Sequence, residues 1–318
     1  MKKLFTPLWM LALILFMFSC KKDKAITSTD NYTSMDNFYS SNESPMQTYT
    51  IDGATGGSFT TPQNTVVKIP AFAFKTPSGD SVNGPVTISF KDVYKKSDML
   101  LNQLSTNLSD GRPMKSAGMF YIKAEKGGQA LYMAHGKSIR VTQPLNGVAL
   151  DPNMRAYVIR KDSANVWSNP WIGGNGSSIV LYGNLVDTIN GYFYNLSQFT
   201  PPLGNGTWCN SDNPSFFAAY PQTTLTLVPK ESIADYSMQL YLFFNTVNCA
   251  VHIWDNDTDF SYIYAPVGLQ CTAVAFGVKD GKLYSCFTLL TINTNLHVNF
   301  SLSETTTADF MAQLNALN

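Results

Sequence analysis

The sequence predicts an all-β protein with two β-sandwich domains in tandem, a short C-terminal helix, and a disordered N-terminal tether after a signal peptide. Of its 22 acidic residues, 18 are Asp and only four are Glu, and Asp favours turns whereas Glu favours helices. Twenty Phe and 16 Tyr favour strands. Short runs of apolar residues separated by Gly, Pro and Asn complete the β pattern.

The charge balance excludes a nucleic-acid-binding protein. The 318 residues carry 22 basic and 22 acidic side chains, so the chain lacks the basic surface that neutralises phosphates. Charged residues make up 14% of the chain, against roughly 25% in an average soluble domain. Partners are therefore expected among proteins, glycans or membranes.

Residues 1–19 have the pattern of a lipoprotein signal peptide. Lys2 and Lys3 precede the uncharged run 4–19, and Cys20 follows it directly. This run is shorter than the roughly 20 apolar residues that span a bilayer. The junction at Cys20 resembles the site at which bacterial signal peptidase II cuts before a lipid-modified cysteine, although Met17 and Phe18 depart from the usual residues there. The resemblance implies a palmitate-type anchor on Cys20 and, in a Gram-negative bacterium, an outer-membrane location.

Residues 20–45 are predicted to form the flexible tether. They are rich in Ser, Thr, Asn and Asp, a composition that buries too little apolar surface to fold alone.

Residues 46–200 are predicted to form the first β-sandwich, and residues 201–318 the second. Alternating runs begin near Tyr49 and recur through Val66, Val86 and Ile139. The stretch 201–214 is rich in Pro, Gly and Asn and is the predicted boundary. The clearest element beyond it is a hairpin at Asp280-Gly281.

A two-residue loop at Asp280-Gly281 sets the register of that hairpin. Val278 then lies opposite Leu283, and one apolar face is predicted to contain Val274, Phe276, Val278, Leu283, Phe287 and Leu289. A helix is predicted over 308–317, with Phe310, Leu314 and Leu317 on one face, to cover an open end or edge of the sheet.

Several segments resemble known envelope and signalling modules. Residues 56–74 and 136–144 are similar to two strands of the ZU-five β-sandwich of ankyrins and netrin receptors. Residues 91–99 and 118–121, together with Trp208-x-Asn210-x-Asp212, resemble a group of bacterial envelope lipoproteins of unassigned function. The ZU-five resemblance implies a platform for protein interaction and supplies no catalytic residues, so binding is expected rather than catalysis.

The residues with catalytic or metal-binding chemistry are scattered. His135, His252 and His297 are isolated, without the spacing of a zinc site, and His252 is predicted on the wetter face of a strand. Asp255, Asp257 and Asp259 have the alternation of a calcium loop, but an EF-hand would require Gly at 260 and Glu at 266, where Phe260 and Pro266 stand. The prediction is no catalytic residue, no cofactor and no metal, with this loop the one weak candidate.

Four cysteines follow residue 200 and could pair in three ways: Cys209, Cys249, Cys271 and Cys286. The hairpin register separates Cys271 from Cys286 by four residues, about 13 Å, which exceeds the roughly 7 Å limit for a disulfide. Any bridge would therefore use Cys209 or Cys249, and four buried thiols are an equal alternative.

Two aromatic residues suggest a second kind of ligand. Trp167 and Trp171 flank a Ser-Asn-Pro segment in a Gly-rich region, and exposed indoles can stack on sugar rings. The predicted function is a non-catalytic, lipid-anchored binding or scaffolding protein of the envelope. A surface glycan-binding lipoprotein is the first alternative and an envelope hydrolase of unrecognised type the second.

Overall fold

A computed structural model describes residues 30–108, 110–145, 150–159, 186–187, 191–196 and 206–318. The described chain consists mostly of β-strands in several sheets, with few and short helices. This confirms the all-β class and the short C-terminal helix. The signal peptide, Cys20, Trp167 and Trp171 lie outside the described residues, and the division into two domains stays a prediction.

Thirteen strands and two helices are described before residue 214. In chain order they are α1 (Met35–Asn42), β1 (Gln47–Asp52), β2 (Gly57–Thr60), β3 (Val66–Ile69), β4 (Phe74–Lys75), β5 (Pro85–Val93), α2 (Lys96–Leu101), β6 (Lys115–Lys126), β7 (Gln129–Ala130), β8 (Tyr132–Met133), β9 (Ile139–Gln143), β10 (Arg155–Ile159), β11 (Val186–Asp187), β12 (Gly191–Leu196) and β13 (Thr207–Asn213).

The remaining chain contains eight strands, two α-helices and a 3-10 helix at Phe216–Ala219. In chain order these strands and α-helices are β14 (Gln222–Pro229), α3 (Ile233–Tyr236), β15 (Gln239–Phe244), β16 (Ala250–Ile253), β17 (Phe260–Pro266), β18 (Gln270–Lys279), β19 (Lys282–Thr291), β20 (Leu296–Phe300), β21 (Ser303–Thr305) and α4 (Thr307–Asn315).

The first half is sandwich-like. One sheet has the order β1-β5-β6-β13-β10, with β7 paired to β6, and the other has the order β11-β12-β9-β3-β2. Alternate residues of both sheets meet in one apolar core, for example Val67 and Val141 against Ile88 and Phe120. Period-two alternation places these side chains on the inner faces.

Strand β13 belongs to the first of these sheets. It lies between β6 and β10, and Cys209 is opposite Phe120. The second domain was predicted to begin at residue 201. Residues 207–213 instead pair with strands of the first half, so their assignment to the second domain is wrong. The polar sequence of β13 suggested a linker, but its seven residues are all buried. Pairing with β6 and β10, which are distant in the sequence, supplies hydrogen-bond partners to its backbone N–H and C=O groups.

The second half also brings two sheets together. The order β17-β14-β20 includes a parallel pair, β14 with β20, and the larger sheet has the order β16-β15-β18-β19-β21. Leu225 and Tyr262 of the smaller sheet share an apolar core with Leu240 and Ala273 of the larger one.

The hairpin of β18 and β19 has the predicted register. Val278 lies opposite Leu283, and Val274 lies opposite Phe287. The predicted apolar face is correct through Phe287 but wrong at its end, because Leu289 is 64% exposed.

Helix α4 packs on the face of this hairpin rather than on its edge. Phe310 contacts both Phe276 and Phe287, at centroid distances of 5.3 and 5.6 Å. Thr306 caps the helix by accepting a hydrogen bond from the backbone of Asp309. The edge of β19 is instead paired over three residues by β21.

The predicted tether is wrong for residues 30–45. Ser34 caps α1 by accepting from the backbone N–H of Asn37, and the helix buries Phe38 completely. Tyr32 donates its backbone N–H to the carbonyl of Gly281 at 2.9 Å. The apolar residues of this segment are few, but helical spacing gathers Met35, Phe38 and Tyr39 on one face against the β18–β19 hairpin.

The two halves share a third apolar core. Helix α2 and the end of β6 contribute Leu100 and Met119, while β15 and β18 contribute Phe243 and Phe276. Hydrogen bonds cross the same junction: Thr106 N to Ala250 O at 2.7 Å, Ser116 N to Asn248 O at 2.8 Å, and Lys96 Nζ to Phe244 O at 2.8 Å. Thr106 and Asn107, in the segment between α2 and β6, therefore pair with the outer edge of β16 at Ala250 and His252.

Candidate functional site

A pocket of about 280 Å³ lies between α3 and the loop that follows β16. Ile233 and Met238 supply apolar walls. Ser237, Gln239, Asp255 and Asp257 supply polar groups. Its volume is near the lower end of small-ligand sites, roughly 300–1,000 Å³.

A tight helical turn forms one wall of the pocket. Ser232 caps α3 by accepting from the backbone N–H of Asp235 at 3.3 Å. The helix ends at Ser237, whose φ of 45° is left-handed, and such a residue reverses the chain after a helix. The reversal brings Met238 and Gln239 back along the helix and places the Ser237 side chain at the pocket.

The acidic loop forms the opposite wall. Asp257 adopts a φ of 75°, a conformation that Asp and Asn tolerate better than other side chains. Its backbone N–H donates to Asp255 Oδ1 at 3.1 Å. The Asp259 carboxylate is held inside the loop, where it accepts from Asn256 and Ser261. Two of the three predicted loop carboxylates therefore line the pocket, and the third does not.

These carboxylates do not form a metal site in the described part of the chain. No group of three potential ligands from His, Cys, Asp and Glu comes together among the residues that the structure describes. The Asp259 carboxylate instead accepts hydrogen bonds from the nearby side chains of Asn256 and Ser261. The spacing that suggested calcium serves instead to shape the turn.

An exposed indole stands beside the pocket. Trp254 is 60% exposed and directly precedes the pocket residue Asp255. Its ring lies edge-on to that of His252, with centroids 3.9 Å apart and an angle of 90°. The His252 Nε2–H donates to Gln239 Oε1 at 3.1 Å, because Gln239 Nε2 itself donates to the carbonyl of Met238. A continuous chain of contacts thus joins Trp254 to the pocket wall.

The support beneath Trp254 is buried and uncharged. His252 is buried, and burial lowers its pKa to about 3, so the imidazole is neutral at physiological pH. Its backbone N–H donates to Asn107 Oδ1 at 3.0 Å, across the junction between the halves. The prediction that His252 lies on the wetter face of its strand is wrong, because its ring packs against Tyr241 of β15 on the face that enters the core shared by the two halves.

Trp254 was not among the predicted site residues. Trp167 and Trp171, the predicted sugar-stacking pair, lie outside the described residues. Trp254 carried a signal of its own, since it ends a strand just before three alternating aspartates. The alternation of side chains along the strand does not predict the exposure of Trp254. That exposure depends on which distant residues pack against His252 and leave the indole in contact with solvent.

A second polar cluster is buried within the first half. Asp92 accepts hydrogen bonds from Thr61 at 2.5 Å and from Thr65 at 2.6 Å. Thr65 also bonds to the hydroxyl of Tyr94. The ring of Tyr94 occupies the space where Gly118 would carry a Cβ. Tyr94 and Gly118 belong to the segments 91–99 and 118–121, which both resemble the envelope lipoproteins. These two segments are therefore in contact in the fold.

Asp212 is the most deeply buried acid of the described chain. Burial raises its pKa well above the ordinary value, while hydrogen bonds from Ser116 and Asn210 act in the opposite direction. Its Oδ1 has no partner among the described residues. A carboxyl group whose neutral form is favoured by burial is therefore enclosed in the fold, and it does not line the pocket.

The four described cysteines are free thiols. The predicted separation of Cys271 and Cys286 is confirmed by their partners Leu290 and Ala275. Cys209 lies in the core of the first half and Cys249 in that of the second. Burial raises the pKa of Cys271 to about 12, which keeps this thiol protonated and unreactive.

Comparison with protein families and with curated proteins found no match for this chain. The resemblances to ZU-five modules and to envelope lipoproteins stay expectations. Among the residues described, no helix has the length and apolar character needed to cross a bilayer.

Proposed function

We propose that this chain is a lipid-anchored, non-catalytic binding protein of a Gram-negative cell envelope. Cys20 carries the lipid that holds it at the outer membrane, and the pocket beside Trp254 binds a component of the envelope or of its surroundings. The observation that carries the binding role is the exposed Trp254 ring, supported from behind by His252 and adjoining a polar pocket.

The described titratable groups with strongly shifted pKa values support binding over catalysis. His252, Asp212 and Cys271 are enclosed in packed regions and serve the fold. None of them lines the pocket. A catalytic site would place a nucleophile and a matching base in the same cleft.

The described N-terminal helix supports a short connection to the membrane. Folded structure begins by Asp30, whose carboxylate accepts from the backbone N–H of Thr307 at the start of α4. Residues 21–29 then span at most about 30 Å when fully extended. Under this proposal the end of the molecule that holds α4 and the β18–β19 turn faces the bilayer.

Membrane fractionation of cells expressing the full chain tests the anchor. Wild-type protein is expected in the membrane pellet, labelled by a palmitate analogue, and Cys20→Ser is expected to be unlabelled and released. Cys286→Ser is the matched control and should behave as wild type. A Cys20→Ser protein that still resists carbonate extraction would contradict the anchor.

Retention of envelope material by the immobilised full chain tests the binding role. Surface polysaccharide and membrane fragments from the same cells should be retained by wild type and lost with Trp254→Ala. Leu289→Ala is the control, since Leu289 is similarly exposed and distant in sequence from the pocket residues. Equal retention by wild type and by Trp254→Ala would contradict this site.

A further inference from the structure

We infer that the pocket beside Trp254 recognises a neutral carbohydrate chain, with one sugar ring resting on the indole and its neighbour in the pocket. This inference rests on the proposed binding function and names its ligand class. The groups that carry it are the exposed indole and the carboxylates of Asp255 and Asp257.

The indole has the surface that a pyranose ring requires. One face of a β-linked pyranose presents several C–H groups, which pack against the flat, electron-rich face of an aromatic ring. Trp254 is exposed over most of its surface and is held by His252. An indole that already rests on His252 before the ligand arrives loses less side-chain entropy on binding than a free one.

The pocket offers hydrogen-bond acceptors to a sugar. Asp255 uses Oδ1 to accept from its own loop, and the carboxylate of Asp257 receives no hydrogen bond from the described residues. Vicinal hydroxyl groups of a sugar donate to such carboxylates as charge-assisted bonds. Ser237, exposed at the end of α3, adds a hydroxyl that both donates and accepts.

The charge of the pocket selects among carbohydrates. Asp255 and Asp257 line it, and Asp235 stands on the adjacent helix, where it pairs with Lys279 at 3.7 Å. Among the residues that the structure describes, no Lys, Arg or His lines the pocket. Acidic sugars such as uronates would therefore be repelled, whereas neutral sugars keep the favourable contacts.

The volume of the pocket indicates a short recognition element. About 280 Å³ accommodates one ring of a longer chain, and under this inference the next ring lies on Trp254, which directly precedes the pocket residue Asp255. The indole and the pocket are then two subsites of one ligand.

The test uses the full chain in detergent and an array of β-linked oligosaccharides. The array contains neutral chains of glucose, xylose and N-acetylglucosamine, and chains that contain uronates. Choline chloride serves as a cationic probe. Neutral chains are expected to bind with a millimolar or tighter Kd, measured by titration calorimetry. Uronate chains and choline are expected to bind at least about tenfold more weakly.

Variants locate the ligand on the protein. Trp254→Ala should weaken binding by about tenfold or more, and Trp254→Phe should recover part of the loss because it restores an aromatic face. Asp257→Asn preserves the left-handed turn and should weaken binding several-fold. Leu289→Ala should leave the affinity unchanged, and unchanged melting curves would show that each variant is folded.

Three results would overturn the inference: no neutral oligosaccharide binds, choline binds more tightly than every sugar, or Trp254→Ala leaves the sugar affinity intact. If Trp254→Ala binds sugar normally and Trp167→Ala does not, the sugar site would belong to the predicted pair Trp167 and Trp171. If sugars fail to bind while envelope fragments are still retained through Trp254, the binding function stands and only the carbohydrate ligand is excluded.

Discussion

The rings of Phe38 and Phe310 meet edge to face, with centroids 5.7 Å apart and an angle of 79° between their planes. One belongs to α1 and the other to α4, so the first and last helices of the described chain are in contact. Both rings also pack on Phe276 of β18, at 5.7 and 5.3 Å. The first and last helices of the described residues thus pack on the same hairpin.

Removing the Phe38 ring should destabilise the whole fold. Phe38→Ala leaves a cavity among the four aromatic rings that Phe38 contacts, and such a change costs about 3–5 kcal/mol in the free energy of unfolding. Urea denaturation of the full chain measures the loss. Ser40→Ala on the exposed side of the same helix is the control and should stay within about 0.5 kcal/mol of wild type.

Proteolysis provides a second readout for the same helix. Proteinase K should cut the wild-type chain before residue 30 and leave 30–45 intact, because Phe38 and Tyr39 hold this segment in the core. Phe38→Ala should expose the segment to cutting. Early cleavage of wild type between residues 30 and 45 would mean that α1 does not pack as described.

Acid should weaken the fold through His252. The imidazole has a pKa of about 3 in the folded chain, against about 6.5 when unfolded, so below pH 6.5 only the unfolded state gains the proton. Stability from this group is complete above pH 6.5 and falls by about 1.4 kcal/mol per pH unit until the folded pKa is reached. Urea midpoints between pH 7 and pH 4 measure this slope.

The urea midpoint of His252→Gln should fall less between pH 7 and pH 4 than that of wild type. This difference in slope is expected whatever the stability of the variant at pH 7. His297→Gln is the matched control, because His297 is exposed on β20 and its replacement should keep the wild-type slope. Identical slopes for wild type and His252→Gln would contradict the burial of this imidazole.

Asp212 should have the opposite pH dependence. Its pKa is raised in the folded state by burial, so above pH 4 the unfolded chain loses a proton that the folded chain keeps, and stability falls as pH rises. Asp212→Asn removes this titration. As the pH rises from about 4, the variant should gain stability relative to wild type until the raised pKa of Asp212 is reached, measured by Tm, and Asp80→Asn in an exposed turn should not.

The buried thiols should react only on unfolding. In a chain carrying Cys20→Ser, a thiol reagent such as DTNB should label the partly exposed Cys286 first. Cys209, Cys249 and Cys271 should label only in denaturant, and reducing agent should leave Tm unchanged because no described cysteine is bridged. A drop in Tm on reduction would reveal a disulfide.

The β18–β19 hairpin shows how much local sequence can predict. Asp280-Gly281 specifies a two-residue turn, and from that turn the partners Val278 and Leu283, and the separation of the two hairpin cysteines, follow by counting. The same counting fails at Leu289, because α4 covers the face of the hairpin only as far as Phe287. Pairing is a property of the strand, whereas burial depends on what packs against it.

The sequence by itself determined the all-β class, the hairpin register and the C-terminal helix, because turn residues and the alternation of side chains act over a few positions. Tertiary structure alone decided that α1 is folded, that β13 joins the first sheet, and that Trp254 is exposed while His252 is buried. The physical reason is that Phe276, the strand β6 and the Asn107 loop are brought to these elements from distant parts of the chain. Their contributions to burial and hydrogen bonding exist only once the halves have packed together.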